Sequence, residues 1–148
     1  MYSASQHVVI DASPGEVFKV VGGFYTLSDW HPLCEDPPEG PIANEDGVLR
    51  RKNRIVGSDI DNIGDLVHSS LDPEDLHYVY EYRGGMFDSI GYRATIRCTP
   101  TNGGKSTVVL YHSVWVSEED GGGQDAVNNF YRVGLDAAEE LIEGSKND

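Results

Sequence analysis

With 148 residues and 25 acidic against 11 basic side chains, the chain carries a formal charge of −14 at pH 7. It is long enough for one folded domain, residues 1–148, with a buried core, and its charge repels nucleic-acid phosphates and anionic bilayers, so no nucleic acid and no membrane insertion are expected. A composition of 39% apolar and 24% charged residues excludes a disordered chain, a coiled coil and a collagen.

The first predicted element is a strand over residues 3–10, β-branched near its end. Ser13-Pro14-Gly15-Glu16 follows, a capping box with proline at the first helical position. Val17, Phe18, Val20 and Val21 continue that helix, and Gly22-Gly23 stops it. Residues 27–31 form a second short helix, broken by Pro32 and then by Pro37-Pro38. A run of strands comes next. Residues 48–56 end at Gly57-Ser58, 65–71 at Asp72-Pro73 and 76–83 at Gly84-Gly85. Residues 90–99 end at Pro100 and an Asn102-Gly103-Gly104 turn, and residues 106–116 form the last strand. This spacing of strands and turn signals is that of an antiparallel meander.

After Gly121-Gly122-Gly123 the period changes. Val127, Phe130, Tyr131, Gly134, Leu135, Ala138, Leu141 and Ile142 recur at helical spacing, one apolar stripe on a helix of about 18 residues. The simplest way to bury sheet and stripe together is an α+β fold: a single curved antiparallel sheet whose concave face is covered by the C-terminal helix.

Several chemistries have no footing. Cys34 and Cys98 lie outside any CxxC pair and read as reduced thiols packed as small apolar groups. The five histidines are scattered without HExxH, so no metal is expected. The acidic runs at 59–61 and 118–120 lack EF-hand spacing, the glycine run lacks the ending of a phosphate loop, and no GxSxG occurs. No apolar run approaches the ~18 residues of a membrane span, and the first ten residues lack the basic and apolar regions of a secretory signal. A cytoplasmic monomer or homodimer is the expectation.

Seven segments in order carry a resemblance to a known superfamily. They are SPGEVF in the first helix, GFYTLSDWHP around Trp30 and His31, DGVLR ending at Arg50, LDPED, GYRATIRCTP around Tyr92, STVVLYHSVW to Trp115, and VGLDAAEEL in the last helix. The order resembles the helix-grip superfamily of birch-pollen-allergen-like proteins, START-like lipid carriers and polyketide cyclase/dehydrases, and it is most similar to the bacterial polyketide cyclase/dehydrase-like branch. The sequence departs from that pattern in two places. Leu66-Val67-His68 stands where many relatives carry Glu-Arg-Leu, and residues 35–46 are rich in proline and acid.

The resemblance implies a cavity between the sheet and the long helix. Strand alternation places Leu76, Tyr78, Tyr80 and Tyr82 on one face, and Tyr92, Ala94 and Ile96 on one face of the next strand. Both aromatic sets are expected inside. On the last strand apolarity favours Val108, Leu110, His112 and Val114 inside, whereas the resemblance favours Val109, Tyr111, Ser113 and Trp115, which we follow. On residues 65–71 composition does not decide. Matching to the family pattern turns His68 inward, and Arg50 likewise. Each assignment has a structural alternative: tyrosines as core aromatics, Trp30 with His31 as a packing plug, His68 as a satisfied structural histidine, and Arg50 as a solvated strand residue.

Two classes of function stay open. One is a cyclase/dehydratase-like enzyme or lyase, free of cofactor and metal, acting on a small hydrophobic polyketide-like or other natural-product intermediate. His68 would move a proton while Tyr80 and Tyr92 hydrogen-bond a developing enolate. Trp30, His31, Arg50, Tyr78, Tyr82, Tyr111, Trp115, Phe130, Tyr131 and Gly134 would bind the substrate. The other is a non-catalytic carrier or sensor holding a hydrophobic small molecule in the same cavity. A structural role in a larger complex is a third reading. A tyrosine-rich pocket with one histidine and one arginine favours the enzyme.

Overall fold

Ser13 starts the first helix through its side chain. In the computed structural model, which describes residues 1–83 and 89–145, the Glu16 amide donates to Ser13 Oγ at 3.4 Å and that hydroxyl donates to the Glu16 carboxylate at 3.0 Å. The helix α1 (Pro14–Val21) ends where the Gly22 amide donates to Phe18 O. It is preceded by β1 (Tyr2–Ile10) and followed by the one-turn α2 (Leu27–Trp30). Then come β2 (Cys34–Glu35), β3 (Arg50–Ile55), β4 (Asn62–Ser70), β5 (Leu76–Tyr82), β6 (Ile90–Thr101), β7 (Ser106–Val116) and α3 (Gln124–Ser145). The two-residue β2, unexpected from the sequence, pairs Cys34 with Ile55 and Glu35 with Arg54. The Gly84-Gly85 stop expected after β5 lies outside the described residues.

The strands form one antiparallel sheet in the order β1-β7-β6-β5-β4-β3-β2. It curls round α3 as the helix-grip resemblance implies. Val127, Tyr131, Gly134, Leu135, Ala138 and Ile142 of α3 are buried against it, facing fully buried Ile10, Ile96, Val109 and Tyr111 of the sheet. Phe130 and Leu141 of the expected stripe are less covered, and Leu141 is 50% exposed.

The long helix also closes an edge of the sheet. Asn128 Oδ1 accepts from the Ser5 amide and from Gln6 Nε2, each at 3.1 Å. Arg132 donates to His7 O at 2.9 Å and Gln124 Nε2 to Ser3 O at 2.6 Å. These bonds occupy backbone groups of β1 that an edge strand otherwise offers to another chain.

The glycine run before α3 makes this docking possible. Gly122 has φ 58°, and Trp115 Nε1 donates to its carbonyl at 2.8 Å. A Cβ at that position would run into the Tyr2 ring, 2.7 Å from Cγ. Both cysteines are free and buried, and burial pushes each thiol up to about 12. Among the described residues no group of three or more His, Cys, Asp or Glu is placed to hold a metal, and no helix is long and apolar enough to cross a membrane.

Candidate ligand cavity

The concave face carries the aromatic phase of the central strands. Tyr78 and Tyr80 of β5, Tyr92 of β6, and Tyr111 and Trp115 of β7 are all buried, with Val109 and Ser113 beside the last two. On β7 the more apolar alternative set turns outward, and Val114 is 45% exposed. Burial of these rings leaves hydroxyls that must pair with one another. Tyr80 and Tyr111 hydroxyls bond at 2.9 Å. Tyr131 donates to Ser113 Oγ at 2.7 Å and bonds the Tyr92 hydroxyl. Burial raises all four phenols above their ordinary pKa, so at neutral pH they are hydrogen-bond donors and acceptors without charge.

Toward the β3–β4 side the sheet and α3 diverge and leave a cavity of about 380 Å³. Tyr80, Tyr82 and Tyr92 wall it on the sheet side, Val127 and Phe130 on the α3 side, and Leu27 and Cys34 lie at the α2–β2 side. Its polar contribution from β3 is Arg51, Asn53 and Arg54, the last already paired with Asp61 at 2.7 Å. Arg51 is 3% exposed. Its Nη1 donates to Phe24 O at 2.9 Å and to Tyr78 OH at 3.1 Å, and its guanidinium lies 4.7 Å and 4.5 Å from the ring centres of Phe24 and Tyr80. Burial is the largest influence on this guanidinium and opposes its charge, while the hydrogen bond to Tyr78 favours it.

Two expected site residues face the other way. His68 does not reach the cavity; it is exposed on the convex face, with its ring 5.2 Å from that of His77. The cause is a bulge in β4. Leu66 pairs with Tyr80, but His68 pairs with Val79 rather than Tyr78. One extra residue reverses the alternation, so His68 falls in phase with outward-facing residues. Arg50 is likewise outside. It pairs with Asp65 at 2.6 Å and Glu45 at 2.9 Å, because Arg51, opposite Gly64, takes the inward phase. Within β3 (RRKNRI) the only apolar residue is Ile55, and Arg51 and Asn53 share its phase. That alternation was the available signal for both residues the sequence reading missed.

The remaining expected residues divide between wall and core. Tyr80, Tyr82, Tyr92 and Phe130 line the cavity. Tyr78 lies beneath Arg51, and Tyr111, Trp115, Tyr131 and Gly134 are buried in the core. Trp30 and His31 form a plug between α2 and α3, 5% and 1% exposed. The Leu33 amide donates to His31 Nδ1 at 3.2 Å, so Nε2 carries the proton and donates to Phe130 O at 2.8 Å. Phe130 stacks on the same imidazole at 3.9 Å.

Burial lowers the His31 pKa to about 4. The unfolded chain therefore binds a proton near pH 6.5 that the folded chain refuses until about pH 4. This contribution to stability is present above pH 6.5 and is lost as the pH falls through that window, roughly 3 kcal/mol in all. Urea midpoints at pH 7 and pH 4.5 should separate more in the wild type than in His31→Gln. Equal separations would refute the assignment. Gly134 completes the plug, since a Cβ there would sit 2.6 Å from His31 Nε2 and 3.2 Å from the Trp30 ring. Gly134→Ala is expected to cost about 1–3 kcal/mol through overpacking. Chemical denaturation would show it, and an unchanged midpoint would count against this packing.

Comparison with known proteins places the chain among relatives of this architecture. Residues 1–144 match the profile of a family described as polyketide cyclase/dehydrase and lipid transport. Among curated proteins none matches the sequence significantly. Among solved structures, XoxI from Bacillus cereus superposes with a TM-score of 0.77 at 19% identity, covering 99% of each chain. A START superfamily protein from Mycobacterium smegmatis gives 0.69 at 16% identity, covering 97% of this chain and 99% of its own. The Zhui aromatase/cyclase from a Streptomyces species gives 0.66 at 15%, covering 96% and 93%. At such identities the likeness is one of fold.

Proposed function

The chain belongs to the polyketide cyclase/dehydrase and lipid transport family, and on that premise we propose that its cavity binds a small, largely apolar molecule through one acidic oxygen, a carboxylate, phenolate or enolate, with Arg51 as the counter-charge. The observation that carries this reading is the partnership of Arg51. Arg50, Arg54, Arg97 and Arg132 each pair with an aspartate. Arg51, the most deeply buried, pairs with no carboxylate among the described residues; a backbone carbonyl, a phenol and three ring faces surround it. A buried cation without an anion is costly, and an anionic ligand oxygen removes that cost with charge-assisted hydrogen bonds.

Binding is favoured over turnover by the chemistry of the wall. Its described polar groups are guanidinium, amide, thiol and phenol, and burial raises the thiol and the phenols of Tyr80 and Tyr92 above their usual pKa. All of them suit holding an oxygen, not accepting a proton from carbon near pH 7. The cyclase/dehydratase reading has its own support in the family and in the row formed by Arg51, Tyr80 and Tyr92. That row would stabilise an enolate while water takes the proton.

Titration calorimetry with 2-naphthoate and its neutral counterpart 2-naphthalenemethanol tests the binding reading. The carboxylate is expected to bind at least about tenfold more tightly, in the wild type and equally in the convex-face variant His68→Ala. Equal affinity for acid and alcohol would sink it. Turnover would show itself if a molecule retained through native purification lost the mass of one water on further incubation with fresh protein.

A further inference from the structure

Asn53 lies two residues beyond Arg51 on β3 and opens onto the same cavity. It is only 5% exposed, and its amide nitrogen is buried with no hydrogen-bond partner among the described residues. Buried amides in folded proteins are nearly always paired, because an unpaired donor keeps the full cost of leaving water. A leucine would fill a similar volume without that cost. The other unpaired buried donor among the described residues, Trp30 Nε1, belongs to the α2–α3 plug and not to the cavity wall.

We infer that Asn53 reads a second oxygen of the ligand: its amide N–H donates to a neutral carbonyl or ether oxygen of the molecule whose acidic oxygen meets Arg51. This rests on the Arg51 reading and narrows it. Residues i and i+2 of a strand stand about 7 Å apart on one face, so the two ligand oxygens are separated by roughly the width of a ring. The ligand class is then an oxygenated hydrophobic acid with a keto or ether group across the molecule. A simple fatty acid, which has no second acceptor, is disfavoured. The polar side of the cavity offers donors from both residues, and a doubly accepting ligand satisfies both at once.

Calorimetry with 2-naphthoate, 6-acetyl-2-naphthoate and 7-acetyl-2-naphthoate tests this on the wild type and on Asn53→Leu. The wild type is expected to prefer at least one acetyl compound over the parent acid by about five- to tenfold, the worth of one hydrogen bond. In Asn53→Leu that ratio falls to about one, whatever the absolute affinities become, and the ligand-free variant melts above the wild type because an unpaired amide has gone. A wild type without acetyl preference, a preference that survives in Asn53→Leu, or a variant melting below the wild type would each overturn the role of Asn53 while leaving the Arg51 reading in place. A wild type that binds none of the three acids overturns the Arg51 reading itself, and this inference with it.

Discussion

Leu135→Asp is expected to leave the chain without a cooperative melting transition. Leu135 is fully buried on the stripe by which α3 docks into the sheet. An aspartate there must either ionise in an apolar site or take up a proton and stay underpaired. Both cost several kcal/mol, in addition to the lost transfer and packing energy of leucine, about 2–5 kcal/mol. A domain of ordinary stability holds about 5–15 kcal/mol in total. The same substitution at Leu141, six residues on and half exposed, should be tolerated within about 0.5 kcal/mol. Near-ultraviolet circular dichroism and calorimetry on the pair would decide it. A folded Leu135→Asp protein would mean that α3 does not close the sheet.

That contrast shows how far helical periodicity reads. The stripe from Val127 to Ile142 located α3 and most of its buried side, because a 3.6-residue repeat has only one face to bury. Its flanks were less legible, since Phe130 borders a cavity and Leu141 meets solvent. Turn chemistry was as informative. Ser13, Gly22 and Asp72-Pro73 each act through local backbone or side-chain preferences, and their elements begin or end beside them. The short β2 was not legible, because two residues have no period and pairing with Ile55 and Arg54 is decided by the rest of the sheet.

The site was read unevenly for a related reason. Tyrosines alternating on β5 announce an inward face, because three rings of that size are not left in water on a central strand. In β4 the sequence Leu66-Val67-His68-Ser69 supports either phase, and a bulge after Leu66 reverses it midway. Composition carries no sign of that extra residue, so a family pattern carried along the strand turned His68 to the wrong side. In β3 adjacent arginines have opposite environments. Arg50 is held by Asp65 and Glu45, whereas Arg51 is enclosed by Phe24, Tyr78 and Tyr80. The difference between them is one step of strand alternation and nothing in the residue type.

Arg51→Met should therefore be the substitution with the largest effect on binding and a small one on folding. Methionine retains the length and much of the volume of the arginine stem, so no large void opens. The variant loses the bonds to Phe24 O and Tyr78 OH and leaves that carbonyl underpaired, which costs about 1–3 kcal/mol. It also removes a buried charge that no carboxylate balances, and replacing buried charge by a well-packed apolar group commonly returns a similar amount. The melting temperature is expected to move by only a few degrees. Affinity behaves differently, because a carboxylate in this cavity would lose the one lining arginine that no described carboxylate already neutralises; Arg54, also on the wall, is paired with Asp61. A loss of about 3 kcal/mol, the scale of a buried pair deprived of one partner, corresponds to a drop in 2-naphthoate affinity of about a hundredfold. Arg51→Lys keeps the charge but not the planar fork and should fall between the two, near tenfold. Binding of 2-naphthalenemethanol should fall far less in either variant, since its hydroxyl needs no charge. The acid-to-alcohol ratio is thus the quantity to follow by calorimetry across wild type, lysine and methionine. If both probes weaken together, Arg51 shapes the cavity without supplying its charge, and the proposed ligand class fails with it.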